Sequence, residues 1–239
     1  MKTKPTIGVI GAMDSEIAHL VGRLENKSET ELYGYTFHTG TLHGRWVVIV
    51  KCGIGKVNAA RGAQLLIDRF APAAVVNTGI AGGLDPALQV GDAVIAAGLV
   101  QHDFDVTAFG HARGYLCTGI AHDQPTVFEP DRGLAAALRR AAENTLTGAR
   151  VTEGLIATGD LFVADPATRR AIREEFGASA AEMEGAAIAQ TASYAGVPFA
   201  VLRIVSDRAD GSAAESFDRF EAETARRSSA VIEAFLKEY

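Results

Sequence analysis

Short apolar runs alternate with amphipathic stretches from one end of this 239-residue chain to the other. The apolar runs are bounded by Gly, Pro or charged residues, which is typical of buried strands, and the stretches between them have helical periodicity. This alternation predicts an α/β fold with a largely parallel sheet, in a single domain over residues 1–239. We also expect a hairpin, with Tyr35–Gly40 before Trp46 and its turn near His43-Gly44.

The boundaries follow from the apolar runs and from the helical spacing between them. We predict strands over Thr6–Ile10, Trp46–Lys51, Ala73–Asn77, Ala93–Ala97, Gly154–Ala157 and Phe199–Val205. We predict helices over Asp14–Leu24, Lys56–Phe70, Asp131–Glu143, Asp165–Phe176, Gly185–Ala195 and from about Phe217 to the end.

Composition and charge exclude several classes of protein. The net charge of −6 offers no basic surface for nucleic acid, and no apolar run approaches the roughly 18 residues of a membrane span. Cys52 and Cys117 lie far apart without metal-ligand spacing, so we expect two reduced thiols in a cytoplasmic protein, with Cys52 buried. The basic start of the chain runs into Asp14 and Glu16 without a cleavage site, which predicts a first strand rather than a signal peptide.

Glycines and acids concentrate where the predicted strands end, and ligands bind at that edge of open α/β sheets. Asp14 and Glu16 follow the first strand, where they either cap a helix or belong to a site. The loop Cys52–Asn58 is rich in Gly, but it lacks a phosphate-binding motif because Val57 follows Lys56. The glycines of Asn77–Gly83 let the main chain approach a flat ligand, or simply form a wide turn.

Later segments bring further charged groups to the same edge. Glu182 and Glu184 share a face if their segment is extended, or else they cap the helix that follows. Arg203 interrupts an apolar strand and shares a face with Asp207, so the two form either a structural pair or a tuned site. The segment 102–105 has possible metal ligands but no second pair at zinc spacing, and we predict no metal.

Seven segments of the chain, taken in order, resemble one protein family. They are IGVIGAMDSE, CGIGKVNAA, NTGIAGG, HDFDVTAFG, TGDLFV, AEMEGAAIA and RIVSD. Their sequences and their order resemble those of the 5′-methylthioadenosine/S-adenosylhomocysteine nucleosidases. The resemblance extends from residue 7 to about 220. The resemblance implies a three-layer α/β/α fold of the nucleoside phosphorylase type, with a central mixed, partly barrel-like sheet. It also implies a homodimer and hydrolysis of 5′-thioadenosines to adenine and a thioribose, without a cofactor.

The resemblance implies a catalytic role for three acids. Glu16 would activate water, with Arg203 and Ser206 holding it, Asp207 would protonate N7 of adenine, and Glu184 would bind the ribose hydroxyls. These roles fit the chemistry, because adenine leaves poorly as an anion and the sugar becomes cation-like. The implied substrate contacts beyond these five residues are Met13, Ile54, Ile80, Ala81, Gly82, Phe109, Phe162, Val163, Glu182, Met183 and Phe217.

Each part of the substrate has its own implied contacts. Phe162, Val163 and the main chain near Ala81 and Gly82 would form the adenine slot. Met183 would lie against the sugar. Residues for the sugar and alkylthio end are Met13, Ile54 and Phe217. Phe109 would reach into the partner subunit's site.

Two positions depart from the usual family pattern, and other functions stay open. Ile80 stands where a Ser is often seen, which removes a hydroxyl able to bond Asp207, and His111 stands near where a Tyr is common. A phosphorylase on the same scaffold is one alternative, although the loop after Cys52 differs and Glu16 would repel phosphate. The others are an aminodeoxyfutalosine nucleosidase and a nucleoside sensor without turnover, and 5′-deoxyadenosine is a further candidate substrate.

Overall fold

All strands and helices predicted from the sequence are present in the computed structural model, which describes residues 6–118 and 123–239. The strands in these ranges are β1 (Ile7–Gly11), β2 (Glu25–Leu32), β3 (Tyr35–Leu42), β4 (Arg45–Lys51), β5 (Ala74–Asn77), β6 (Ile80–Gly83), β7 (Ala93–Gln101), β8 (Val127–Phe128), β9 (Val151–Thr158), β10 (Ala180–Glu182) and β11 (Phe199–Asp207). The helices are α1 (Asp14–Gly22), α2 (Lys56–Phe70), α3 (Arg132–Thr145), α4 (Pro166–Phe176), α5 (Gly185–Tyr194) and α6 (Ala213–Glu238), with a short 3-10 helix over Thr107–Phe109.

One continuous mixed sheet joins these strands in the order β2-β3-β4-β1-β5-β11-β6-β10-β9-β7-β8. The long strand β11 connects an open part to a closed part. Its first residues pair with β5 in the open part, and its later residues pair with β6. Because β11 also pairs antiparallel with β7, the strands β11, β6, β10, β9 and β7 close into a ring. The predicted mixed, partly barrel-like sheet is therefore confirmed.

Helices cover both faces of the open part, as the alternation along β1 shows. Ile7 and Val9 pack in the cluster that includes the buried faces of α1, α3 and α6. Ile10 points the other way, into the cluster with α2 and α5. Gly8 shares that second face, and a Cβ there would lie 2.6 Å from Leu66 of α2, so the helix packs directly on the strand backbone. The three-layer α/β/α arrangement is confirmed.

The carboxyl ends of β1, β9, β10 and β11 bring the residues predicted for the site to one region. Glu16 follows β1 in the first turn of α1, Glu182 ends β10, and Asp207 ends β11. The loop after β9 carries Phe162, and Glu184 immediately precedes α5. No helix in the described ranges combines the length and the apolar character needed to cross a bilayer.

Candidate active site

A cleft of about 610 Å³, counting its open mouth, lies where these strands end. Every residue predicted for the site lines it except Phe109 and Arg203. The lining residues that sequence reasoning missed are Ala12, Leu161 and Ala181. All three lie within the family-like segments and next to a predicted residue. Extending each prediction to its neighbours in those segments would have included them.

Glu16 is buried at the base of the cleft, and main-chain amides hold its carboxylate. Oε2 accepts from the N–H groups of Ala12 at 2.6 Å and Met13 at 3.0 Å, and Oε1 accepts from Ile80 N–H at 3.1 Å. Burial raises the pKa of Glu16, and the Arg203 guanidinium and the three amides oppose that rise only in part. Glu16 thus caps α1 and also faces the cleft.

Two neighbours fix the position of Glu16 further. A Cβ at position 79 would lie 2.5 Å from Glu16 Oε1, so Gly79 lets the carboxylate pack against the main chain. From the opposite side, the Ser229 hydroxyl of α6 donates to the main-chain oxygen of Glu16 at 2.8 Å. The base of the cleft is therefore tied to the last helix as well as to β6.

Arg203 lies fully buried behind the cleft, and its carboxylate partner is Glu182. Its Nη2 donates to Glu182 Oε2 and to Asn77 Oδ1, the latter at 2.7 Å, and lies 4.0 Å from Glu184 Oε2. The alternative of an Arg203–Asp207 pair is wrong, because the register of β11 shifts just before Asp207 and breaks the two-residue period. Arg203 supports Glu16 by its charge.

Glu182 and Glu184 have different environments although they are two residues apart. Both oxygens of Glu182 bind protein groups: Oε1 accepts from the Thr158 hydroxyl, and Oε2 accepts from the N–H groups of Glu184 at 3.0 Å and Gly185 at 2.7 Å. Glu184 accepts from Gly55 N–H at 2.9 Å through Oε1. Burial and the nearby Glu182 charge raise the pKa of Glu184 to about 8, against the opposing effect of Arg203.

Asp207 lies at the other end of the cleft, where its partners are neutral. Oδ1 accepts from Ala209 N–H at 2.8 Å, and Oδ2 lies 2.9 Å from the Ser206 hydroxyl. Burial raises the pKa of Asp207. Ser206, expected to hold Glu16, contacts Asp207 and lies 3.3 Å from the Ala81 main-chain oxygen, because it precedes Asp207 directly at the end of β11. Ser206 thus gives Asp207 a hydroxyl partner, although Ile80, where a Ser is often seen, has none to offer.

The glycine-rich loop before α2 has its amides already occupied. Gly53 N–H donates to the Ala12 oxygen at 3.1 Å, Gly55 N–H donates to Glu184, and Lys56 N–H donates to Asp160 Oδ1 at 2.8 Å. Gly53 and Gly55 have φ values of 86° and 96°, where other residues are strained. The amides of Gly55 and Lys56 bind carboxylates of the protein itself and that of Gly53 binds a main-chain oxygen, so they are not arranged as a phosphate cradle.

Comparison with known proteins identifies the family. The family model described as the phosphorylase superfamily matches residues 6–237. The 5′-methylthioadenosine/S-adenosylhomocysteine nucleosidase of Shewanella halifaxensis is 43% identical over 233 residues, which cover 97% of this chain and 99% of that protein. The chain belongs to the 5′-methylthioadenosine/S-adenosylhomocysteine nucleosidase family.

Solved structures of this and a related kind share the whole fold. The nucleosidase of Neisseria meningitidis, in complex with methylthio-immucillin-A, is 41% identical with a TM-score of 0.92, and the match covers 99% of this chain and 100% of that one. A futalosine hydrolase mutant of Helicobacter pylori is 33% identical with a TM-score of 0.91, covering 99% and 100%. The nucleoside phosphorylase fold implied by the sequence is therefore confirmed.

In this member of the nucleosidase family, aromatic and aliphatic groups form the mouth of the cleft. Phe162 and Phe217 meet edge to face with ring centroids 5.6 Å apart. Phe109 is 80% exposed and lies outside the cleft of its own chain. His111 packs against Tyr115, with ring centroids 5.0 Å apart. Among the described residues no cluster of His, Cys, Asp and Glu has the geometry to hold a metal.

Proposed function

We propose that this chain hydrolyses the N-glycosidic bond of 5′-methylthioadenosine and S-adenosylhomocysteine, releasing adenine and the thioribose. The observation that carries the proposal is the meeting of Glu16, Glu184 and Asp207 in one cleft. Proton transfer and charge stabilisation by these groups suffice for the reaction, so the proposal calls for no cofactor. The named activity of the relatives supports the same reaction.

Asp207 acts as the acid toward N7 of adenine. An acid must hold its proton near neutral pH, and the raised pKa of Asp207 supports this role. The Ser206 hydroxyl suits both protonation states, since it can donate to the carboxylate or donate to the Ala81 oxygen while accepting from the protonated acid. Adenine then leaves as a neutral base.

Glu16 and Glu184 act on the sugar. Glu16 accepts a proton from the attacking water, and its amide contacts keep the carboxylate in one orientation. Glu184 binds the ribose hydroxyls, and in its ionised form it stabilises the cation-like sugar of the transition state. Glu182 has both oxygens engaged by the protein, so it positions Glu184 and Arg203 rather than binding substrate directly.

The apolar part of the cleft binds the two ends of the nucleoside. Phe162 and Val163, with the main chain at Ala81 and Gly82, hold adenine, and Met183 lies against the sugar. The residues around the alkylthio group are Met13, Ile54 and Phe217. Thioether sulfur packs well against methionine and aromatic rings, which favours a 5′-thio substituent.

The chain works as a homodimer in which Phe109 reaches the partner subunit's site. The exposure of Phe109 supports this arrangement, since a large aromatic side chain on a free surface is typical of an interface. A second copy would cover the ring and complete the apolar mouth of the cleft.

Futalosine-type nucleosides are a second candidate substrate class. The specific observation is the full-length likeness to a Helicobacter pylori futalosine hydrolase mutant. The thioadenosine nucleosidases of Shewanella halifaxensis and Neisseria meningitidis match at 43% and 41% identity, above the 33% of the futalosine hydrolase, which favours thioadenosines as the main substrates. Phosphorolysis is disfavoured, because the amides that phosphate would need bind Glu184 and Asp160.

Product analysis tests the proposal. Purified protein is incubated with 5′-methylthioadenosine in phosphate-free buffer and in phosphate buffer, and adenine and sugar products are quantified. We expect equal adenine release in both buffers, with free methylthioribose as the sugar. A sugar 1-phosphate would overturn the hydrolytic reaction. Faster turnover of aminodeoxyfutalosine in a parallel reaction would favour the second candidate.

A further inference from the structure

A polar cluster of Lys56, Asp103 and Asp160 lies beside the cleft without lining it. Lys56 Nζ donates to Asp103 Oδ1 at 2.5 Å and lies 4.0 Å from Asp160 Oδ2. Asp160 N–H donates to Asp103 Oδ2 at 2.8 Å, and Lys56 N–H donates to Asp160 Oδ1. The side chains of Lys56 and Asp103 are 18% and 27% exposed, so solvent screens this ion pair less than a surface pair.

This Lys56 cluster joins three separate segments of the chain. Lys56 is the first residue of α2, Asp103 follows β7, and Asp160 follows β9. The segment after Asp160 continues directly into Leu161–Val163, which lines the cleft. Since the three segments are distant in sequence, the cluster fixes their relative positions at the edge of the site.

Gly55 links the cluster to a proposed substrate-binding group. Its N–H donates to Glu184 Oε1 at 2.9 Å, and the next amide, that of Lys56, donates to Asp160. A Cβ on Gly55 would lie 3.1 Å from Asp160 Oδ1, so the loop packs tightly against this carboxylate. Any shift of Lys56 relative to Asp160 therefore moves the amide that holds Glu184.

We infer that Lys56 and Asp103 are positioning residues, which act through the Gly55 amide to hold Glu184 in place for the sugar hydroxyls. The inference rests on the proposed function, which assigns Glu184 to those hydroxyls. Neither residue touches the substrate. Positional errors of about 1 Å at a reacting centre can cost 10²-fold in rate, so small displacements are enough for the effect.

A double-mutant cycle tests the inference. Lys56→Met is made in the parent protein and in Glu184→Gln, and kcat and KM for 5′-methylthioadenosine are measured by adenine release. We expect Lys56→Met to lower kcat/KM by roughly 10- to 100-fold in the parent. In the Glu184→Gln background the same change should have little effect, because residues that act through one another are not additive. Lys56→Arg, which keeps the charge, should retain more activity than Lys56→Met.

Asp103→Asn provides a second variant that nearly preserves side-chain shape, and it answers the same question if Lys56→Met does not fold. Arg139→Met is the matched control: it removes exposed ion pairs to Glu143 and Glu153 on the surface, and it should leave kcat/KM unchanged.

Two results would overturn the inference, and they are distinguishable. If Lys56→Met and Asp103→Asn cause the same fold-loss in both backgrounds, they do not act through Glu184, while the proposed function stands. If Glu184→Gln alone keeps near-normal turnover, the role of Glu184 in the proposed function fails, and the inference fails with it.

Discussion

The two ends of the cleft hold their carboxylates in different ways. At one end, Glu16, Glu182 and Glu184 surround the buried Arg203, and main-chain amides complete their coordination. At the other end, Asp207 has a hydroxyl and an amide as its partners. We call these the glutamate end and the aspartate end.

The two ends of the cleft differ in a way that suits the proposed base, Glu16, and the proposed acid, Asp207. Burial raises the pKa of Glu16 and of Asp207 alike. Only at the glutamate end does a guanidinium appear among the groups that oppose the rise. The Arg203 charge favours the ionised form of Glu16, which the proposed base needs, whereas Asp207 has no such cation and its protonated form is favoured. The difference in environment therefore supports the opposite proton-transfer roles that we propose.

The largest expected effect comes from removing the cation of the glutamate end. Arg203→Met leaves the buried Glu182 charge without its partner, which we expect to lower the free energy of unfolding by about 3–5 kcal/mol. Adenine release should fall by at least roughly 10²-fold, since Glu16 and Glu184 lose their common counter-charge. Urea unfolding and a product assay measure the two effects. Parent-like stability would show that Glu182 does not depend on Arg203.

The next effect separates the two ends by their protons. Glu16→Gln and Asp207→Asn should each lower kcat by at least roughly 10²-fold, because each removes one partner of the proposed acid–base pair. A base works above its pKa and an acid below its own, so Glu16→Gln should lose the part of the acidic limb of the pH profile that Glu16 contributes, while the part from Glu184 remains. Asp207→Asn should lose the alkaline limb. Near-normal turnover in Glu16→Gln would exclude it as the base.

The sequence predicts most elements because their apolar runs are strongly periodic. The β2 strand was missed because its sequence, ENKSETEL, is polar at nearly every position, and it forms an exposed edge that pairs with β3 alone. The short strands β6 and β10 contain mainly Ala and Gly, which carry no strand preference. They form because β11 and β9 provide hydrogen-bonding neighbours.

Most residues predicted from the family-like segments line one cleft, but the partners of their side chains were harder to predict. The partner of Arg203 depends on an irregularity near the end of β11, which no local pattern indicates. Likewise, Glu16 could be a helix cap or a site residue on sequence grounds, and the structure shows that it caps α1 and also lines the cleft. The role of Phe109 stays a prediction, since it concerns a second copy of the chain.

The smallest expected effect tests whether Glu184, at the glutamate end, stays protonated in spite of the nearby Arg203 charge. The pKa of Glu184 is raised from 4.5 to about 8 by burial and by Glu182, so the folded protein holds a proton that the unfolded chain releases. This contribution to stability is complete below pH 4.5 and is lost as pH rises toward about 8. Tm should therefore fall as the pH rises across this range, since a loss of stability lowers Tm.

Glu184→Gln should flatten that decline, because the amide carries no titrating proton, while Glu16 and Asp207 keep their own contributions. Glu153→Gln, at an exposed carboxylate, is the control and should leave the slope of the parent unchanged. Parallel slopes in the parent and Glu184→Gln would mean that Glu184 is ionised in the free cleft. Arg203 would then balance the negative charges of two glutamates, Glu182 and Glu184, rather than one. The difference in charge between the glutamate end and the aspartate end would be larger than burial and the hydrogen bonds indicate.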